Sequence, residues 1–293
     1  MNISKLFKND NIKEIVAKIK EADCVLIGAG AGLSAATGIN YGDTETFAKL
    51  FPSLIPKGFR RQYELIGYED WTPEEKWAYW SIHVNHVRFQ FPPSPMYKKL
   101  LELIKDKDYF VITSNVDAMF HKTGFDKDRI FTPQGDYALL QCVRACTNET
   151  WETKPVIDKI LPDINHDNLT VTDSSLIPHC PNCGGQVFMN VRLSRYFVEK
   201  PYEEQRKKYI QWLESSSSKK LVVMEYGVGF NTPGVIRFPF EQIVYRHPKA
   251  NLIRVNEKHA QVPKELIEKS ISVESNAAVL IDDLVNSRGH KNK

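Results

Sequence analysis

The sequence predicts an α/β protein: a mostly parallel sheet carrying a helical insertion and a small zinc-binding module. Two observations predict the sheet. Short apolar runs alternate with helical patterns along most of the chain, and each run gives way to glycine or to an amide or carboxylate side chain. A third predicts the module: four of the five cysteines form two close pairs, Cys142 with Cys146 and Cys180 with Cys183.

Taken in order, Ile12, Ile15, Val16 and Ile19 sit at helical spacing, so a helix over 11–22 precedes the first strand. Cys24 to Ile27 reads as a buried parallel strand that breaks into Gly28, Gly30 and Gly32, with Ser34 opening a helix. Glycines there turn the chain tightly and let backbone N–H groups approach a phosphate at a helix start. Residues 40–95 are rich in aromatics and proline and show no strand pattern. Helical segments are expected near Arg60–Gly67 and Pro73–Phe89, the second capped by Thr72, with Trp71, Trp77, Tyr79, Trp80 and Phe89 as core. An amphipathic helix, Met96–Ile104, leads into the strand Tyr109–Thr113, which ends at Ser114, Asn115 and Asp117. A short strand, Arg129–Thr132, ends at Gln134 and Gly135. After the cysteines come a helix over Lys200–Leu213 and the strand Leu221–Tyr226 with its loop Gly227–Pro233. A helix over Gly234–Tyr245, the strand Asn251–Val255 ending at Asn256, and a closing helix over Asn276–Val285 complete the chain. Polar residues and glycines at the carboxyl ends of parallel strands mark a nucleotide site. The segments 1–40, 96–140 and 218–293 are therefore expected to form a discontinuous Rossmann-like domain. Residues 41–95 form the helical insertion, 141–200 the zinc module and 201–217 a connecting helix.

Composition narrows the class. A net charge of +3 with dispersed basic residues gives no nucleic-acid footprint, and no apolar run reaches membrane-spanning length. The first residues lack a secretory core, so a cytoplasmic location is expected, where paired cysteines indicate metal rather than disulfides. Four thiolates suit one structural zinc with no open position. Cys24, alone in a strand, reads as a small buried apolar residue. His83, His86, His121 and His247 show no catalytic pairing and read as packing or surface residues.

These motifs, in this order, resemble those of the sirtuins, a family that consumes NAD. Gly30-Ala31-Gly32-Leu33-Ser34 through Gly38-Ile39 matches the first nucleotide motif, and Thr113–Gly124 resembles the Thr-Gln-Asn-Ile-Asp motif while keeping Asn115 and Asp117. The cysteine module, the Gly227–Gly229 loop and Ile253–Asn256 follow in family order. Departures point to a subclass. Asn40-Tyr41-Gly42-Asp43 stands where deacylases have Pro-Asp-Phe-Arg, Ser114 precedes Asn115, and Phe120 replaces a His. Gln134-Gly135 stands where deacylases have the catalytic His-Gly, and the Phe-Gly-Glu segment that holds an acyl-lysine peptide is missing around Tyr196–Glu199. Cys142 and Cys146 lie one residue further apart than the family's usual pair. With the Gly227–Pro233 loop, these features resemble the macrodomain-linked class M sirtuins.

That resemblance implies NAD as co-substrate, bound by Gly30, Ala31, Gly32, Ser34, Asn115, Asp117, Gln134, Gly227, Gly229 and Asn256. Asp117 would face the nicotinamide carboxamide and Asn256 the adenosine ribose. It implies protein ADP-ribosyltransfer, with a lipoylated carrier protein similar to glycine-cleavage protein H as acceptor, and a macrodomain hydrolase and a lipoate ligase as functional neighbours. Asn115 and Gln134 are the candidate catalytic residues. Glutamine cannot take a proton near neutral pH, so the family's histidine role is lost, but it can orient a ribose or an acceptor. A lysine deacylase and an inert NAD-binding regulator are the alternatives. Asn115 and Asp117 would otherwise serve as helix caps.

Overall fold

The computed structural model describes the backbone of residues 3–289 and the side chains of residues 10–288. Its strands, in chain order, are β1 (Cys24–Ala29), β2 (Asp108–Thr113), β3 (Ile130–Phe131), β4 (Gly135–Cys142), β5 (Trp151–Glu152), β6 (Ile164–Asn165), β7 (Thr170–Val171), β8 (Val187–Val191), β9 (Leu221–Tyr226), β10 (Ala250–Asn256) and β11 (Ser270–Glu274). The chain divides into two compact units. One comprises Met1–Gly38, Pro93–Gln134 and Tyr202–Lys293, the other Ile39–Pro92 and Gly135–Pro201.

The first unit is built on a parallel sheet of six strands in the order β11-β10-β9-β1-β2-β3. This is the doubly wound order: the first strands of the two halves, β1 and β9, lie side by side, and chain direction away from them reverses there. β1 and β9 are buried along their whole length, which is why β1 reads as an apolar run and β9 as one broken only by Glu225. The register places Ala29 level with Thr113 on one side and Tyr226 on the other. Three loops, beginning at Gly30, Ser114 and Gly227, therefore leave the sheet at one height. Helices Ile3–Glu21, Pro95–Ile104, Glu203–Ser215, Arg237–Arg246 and Ala277–Gly289 belong to the same unit. Pro95 occupies the first helical turn behind the Ser94 cap. β11 is absent from the sequence reading, although Ile271 and Val273 alternate with polar residues and pair in register with β10.

In the second unit the helix Pro73–Val84 starts in a reciprocal capping box between Thr72 and Glu75 and runs into a π-helical turn, Asn85–Gln90. Trp77, Tyr79 and Trp80 are buried, as the aromatic pattern predicts, whereas Trp71 and Phe89 are only half-buried. They share their core with the antiparallel sheet β5-β4-β8: the ring of Trp80 meets Phe188 edge-on at 5.0 Å, and Lys76 lies over the same ring. Residues 39–92 and 135–201 thus form one unit, where the sequence suggested a separate insertion and module. β4 opens this unit at Gly135 rather than closing the nucleotide domain at residue 140. Among the described residues no helix is long and apolar enough to cross a membrane.

Candidate functional site

All ten residues singled out for the nucleotide lie in the first unit, at or just beyond the carboxyl ends of β1, β2, β3, β9 and β10. The glycines after β1 have a different use from the one their spacing predicts. Gly30 donates its N–H to Tyr226 O and Gly32 to Gly227 O, each at 3.0 Å. Both N–H groups are spent on the neighbouring loop and do not face a phosphate. What requires glycine is close approach: a Cβ on Gly30 would stand 2.7 Å from Gly227 O, and one on Gly32 2.7 Å from Gly227 Cα. Gly227 itself is left-handed, with φ +61°, and a Cβ there would meet Leu33 N at 2.4 Å. Gly229 has no such constraint, its nearest neighbour being His259 Cδ2 at 4.0 Å. The two loops are zipped backbone to backbone, leaving Ala31 and Gly32 exposed above the seam.

Beyond β2, Asn115 is half-buried and donates Nδ2–H to Gly30 O at 2.9 Å, so the same seam orients its amide. Asp117 is buried and accepts on both oxygens, from Met119 N at 2.8 Å and from the Ser34 hydroxyl. It therefore holds the first N–H of the short helix Met119–Lys122, whose N-cap position is Ala118, and it also fixes Ser34, whose hydroxyl proton is committed to it. Tyr97, from the helix Pro95–Ile104, stands beside this group. Its hydroxyl has no hydrogen-bond partner at good geometry, and burial, with the Asp117 carboxylate nearby, pushes its phenol well above the usual range. Sequence reasoning misses Tyr97 because it sits on the apolar stripe of an amphipathic helix; an aromatic hydroxyl on a fully buried face was the available signal.

Gln134 follows the short strand β3, half-buried, and its side-chain amide makes no hydrogen bond to the described residues. Thr132, two residues earlier, is pinned through N–H and hydroxyl to Gln205 Oε1 at 3.0 and 3.1 Å. The amide of Gln134 is thus an uncommitted donor and acceptor at the end of a pinned strand. Asn256 is the opposite case. Its Nδ2 donates to Val228 O at 3.0 Å and its Oδ1 accepts from Lys258 N and His259 N, tying the β9 loop to the β10 loop.

In the second unit the four cysteine sulfurs lie within 4.8 Å of one another. Cys142 Sγ is 3.7 Å from Cys183 Sγ, and Cys146 Sγ is 3.5 Å from Cys180 Sγ. Zinc with bonds of about 2.3 Å to four tetrahedral sulfurs spaces them about 3.8 Å apart, so the set fits the metal and is far too open for disulfides. The extra residue between Cys142 and Cys146 is absorbed by Ala145, which adopts a left-handed conformation with φ +48°. Burial opposes ionisation of Cys142, but N–H groups of Cys146 and Arg144 hold its thiol down at about 7. Asn182 donates to Cys146 Sγ at 3.4 Å, a contact that would support a thiolate ligand. Cys24, by contrast, is fully buried and its thiol is pushed up to about 11 by that burial. His83 and His247 are buried packing residues.

A doubly wound sheet with polar loops at its switch point and a four-cysteine module in a second unit defines a class of nucleotide-using α/β proteins. The Sir2 family model matches residues 30–224, and the chain belongs to that family, whose members use NAD as co-substrate. It is 36% identical to a probable bifunctional ADP-ribose hydrolase/ADP-ribosyltransferase of Fusarium oxysporum f. sp. cubense, over 87% of this chain and 44% of that protein. It is 30% identical to a protein ADP-ribosyltransferase of Staphylococcus aureus, over 90% of this chain and 83% of that one. The chain thus spans less than half of the fungal relative. The crystal structure of a Sir2 homolog–NAD complex shares the fold, with a TM-score of 0.57 at 16% identity, covering 96% of this chain and 95% of that one.

Proposed function

We propose that this chain is an NAD-dependent protein mono-ADP-ribosyltransferase whose nucleotide site is the set of loops at the carboxyl ends of β1, β2, β3, β9 and β10. The observation that carries the reading is Gln134: a free amide at the strand end where deacylases of the resembling family have a histidine base. Both relatives named above carry transferase names, which supports the same reading.

The chemistry asks little acid–base work of the protein. The acceptor nucleophile forms a bond to the anomeric carbon of the nicotinamide ribose as the carbon–nitrogen bond to nicotinamide breaks. The bonding pair leaves with nicotinamide and neutralises its ring cation, and the acceptor's proton passes to solvent. Asn115, oriented by Gly30 O, and Gln134 supply amide oxygens that face developing positive charge on the ribose and hold the acceptor in line. Deacylation needs a further step, deprotonation of a ribose hydroxyl, and an amide has no proton-accepting capacity for it near neutral pH.

The acceptor in this proposal is a lipoylated carrier protein similar to glycine-cleavage protein H, and the functional neighbours are a macrodomain hydrolase and a lipoate ligase. The hydrolase is supported by the bifunctional name of the fungal relative; the carrier and the ligase rest on the resemblance to class M sirtuins. The cysteine set would hold one structural zinc. Labelled NAD offered with lipoylated carrier, unlipoylated carrier and an acetylated peptide tests the proposal. Transfer confined to the lipoylated carrier, and reduced about 100-fold or more in Asn115→Ala and Gln134→Ala, is expected. Efficient release of O-acetyl-ADP-ribose from the peptide would overturn it.

A further inference from the structure

Beneath the loops of β9 and β10 lies a cluster of four charges that the proposed chemistry does not use. Glu225 sits near the end of β9 and Arg254 directly across from it on β10, both essentially without solvent exposure. Arg254 grips Glu225 with two hydrogen bonds, Nε to Oε1 at 2.7 Å and Nη2 to Oε2 at 3.0 Å, and donates from Nη1 to Glu241 Oε1 and to Gln261 O, each at 2.8 Å. Arg237, one helical turn before Glu241 and only 2% exposed, completes the group, with Glu225 and Glu241 oxygens each 3.8 Å from its guanidinium. Two positive and two negative side chains balance, which is what makes such burial tolerable. Burial lifts the Glu225 carboxyl above its ordinary range while both arginines pull it down. Both its oxygens accept N–H bonds, the arrangement of a carboxylate.

The hydrogen bonds of Arg237 go to loop carbonyls. Its Nη1 donates to His259 O at 2.9 Å and reaches Val228 O at 3.4 Å, and its Nη2 donates to Gln261 O at 2.8 Å. The ring of Phe230 covers its outer face at 4.3 Å. One planar guanidinium therefore joins the glycine loop after β9 to the loop after β10, in parallel with the Asn256–Val228 tie. No other side chain type offers forked donors with a charge that persists at every working pH. A cluster serving stability alone would end on its own carboxylates; this one ends on the backbone of the two loops.

We infer that Arg237 is a positioning residue for NAD: its fork, locked by the Glu225–Arg254–Glu241 cluster, fixes the spacing of the β9 and β10 loops and so sets affinity for the nucleotide. The inference rests on the reading that these loops hold NAD. The first measurement is amide hydrogen exchange of the wild-type protein with and without NAD. Protection of residues 227–232 and 256–261 is expected; its absence would overturn the nucleotide reading and this inference with it. The second is the Arg237→Lys variant, whose single ammonium cannot span both loops. Exchange should rise in both loops together while β9 and β10 stay protected, and the Kd for NAD should rise about 10- to 100-fold with kcat at saturating NAD within about two-fold. A lowered Tm with unchanged Kd would make the cluster a stabilising element only and overturn the inference, while leaving the nucleotide reading intact. If Arg237→Lys fails to fold, Phe230→Leu, at an exposed ring, carries the test. A rise of about three-fold in Kd is then expected, and no change counts against the inference.

Discussion

In the unit built on the parallel sheet, the loops after β1 and β9 are fixed by backbone groups at contact distance, and the loop after β10 is added by Asn256 and Arg237. Glycine is required where the two main chains touch, at Gly30, Gly32 and Gly227, and the charged side chains of Glu225, Arg237 and Arg254 are buried beneath the β9 and β10 loops. The second unit is fixed by neutral side chains and sulfur. Asn190 donates to Gln141 Oε1 at 2.6 Å and Val198 O at 3.0 Å, and Gln141 passes the connection on to Tyr196 O at 2.8 Å. His83 donates from Nδ1 to Gln62 Oε1 at 2.6 Å and accepts on Nε2 from the Tyr137 hydroxyl at 3.2 Å. Arg88 and Asp136 make the ion pair at the start of β4, where solvent still reaches both. The difference teaches where each unit is vulnerable: the first to added volume and loss of a charge, the second to loss of metal and to acid.

Removing metal should separate the two most sharply. Four thiolates without zinc repel or protonate, and the end of β4 at Cys142 then loses its tie to the Cys180–Cys183 loop before β8. Chelation, or Cys180→Ser, should unfold the second unit in preference to the first, seen as loss of exchange protection in β4 and β8 with β1 and β9 still protected. Metal analysis should give one zinc per chain before treatment. Uniform loss across both sheets would break the comparison.

Acid should act next. Burial, with a smaller contribution from His86, pushes the His83 imidazole down to about 3. In the unfolded chain the same ring takes a proton near pH 6.5, so between those values the unfolded state binds more protons. The stabilising contribution is whole above about pH 6.5 and is lost as pH falls towards 3, at up to about 1.4 kcal/mol per pH unit. Urea unfolding from pH 7 to 4 should show that slope in the second unit, and His83→Gln should flatten it. An unchanged slope would sink the assignment to His83.

The smallest effect is expected at the seam. Gly32→Ala places a methyl 2.7 Å from Gly227 Cα, against backbone that has nowhere to turn, and should cost about 1–3 kcal/mol. Gly229→Ala, with open space around it, should be close to neutral and serves as its control. Equal costs at the two positions would show that the seam is not what fixes the loops.

The sequence by itself determined the strand runs, the helices between them, the polar residues at strand ends and the cysteine set. These follow from local period and residue chemistry, which neighbours along the chain decide. Leu221–Tyr226 reads as a strand with its observed bounds, and Asn115 and Gln134 as polar side chains beyond the ends of β2 and β3, without knowledge of what they face. It did not show that Glu225 and Arg254, charges inside apolar strands, find each other across a parallel pair, although a charge in such a run was itself a signal. Nor did it show that residues 39–92 and 135–201 share one core. The spacing of Gly30 and Gly32 predicts that the N–H groups of this loop face a phosphate, because spacing reveals a close approach but not what approaches. Only the pairing of β1 with β9 brings Tyr226 and Gly227 carbonyls to them, and that partner is set by strand order in the sheet, a property of the whole chain.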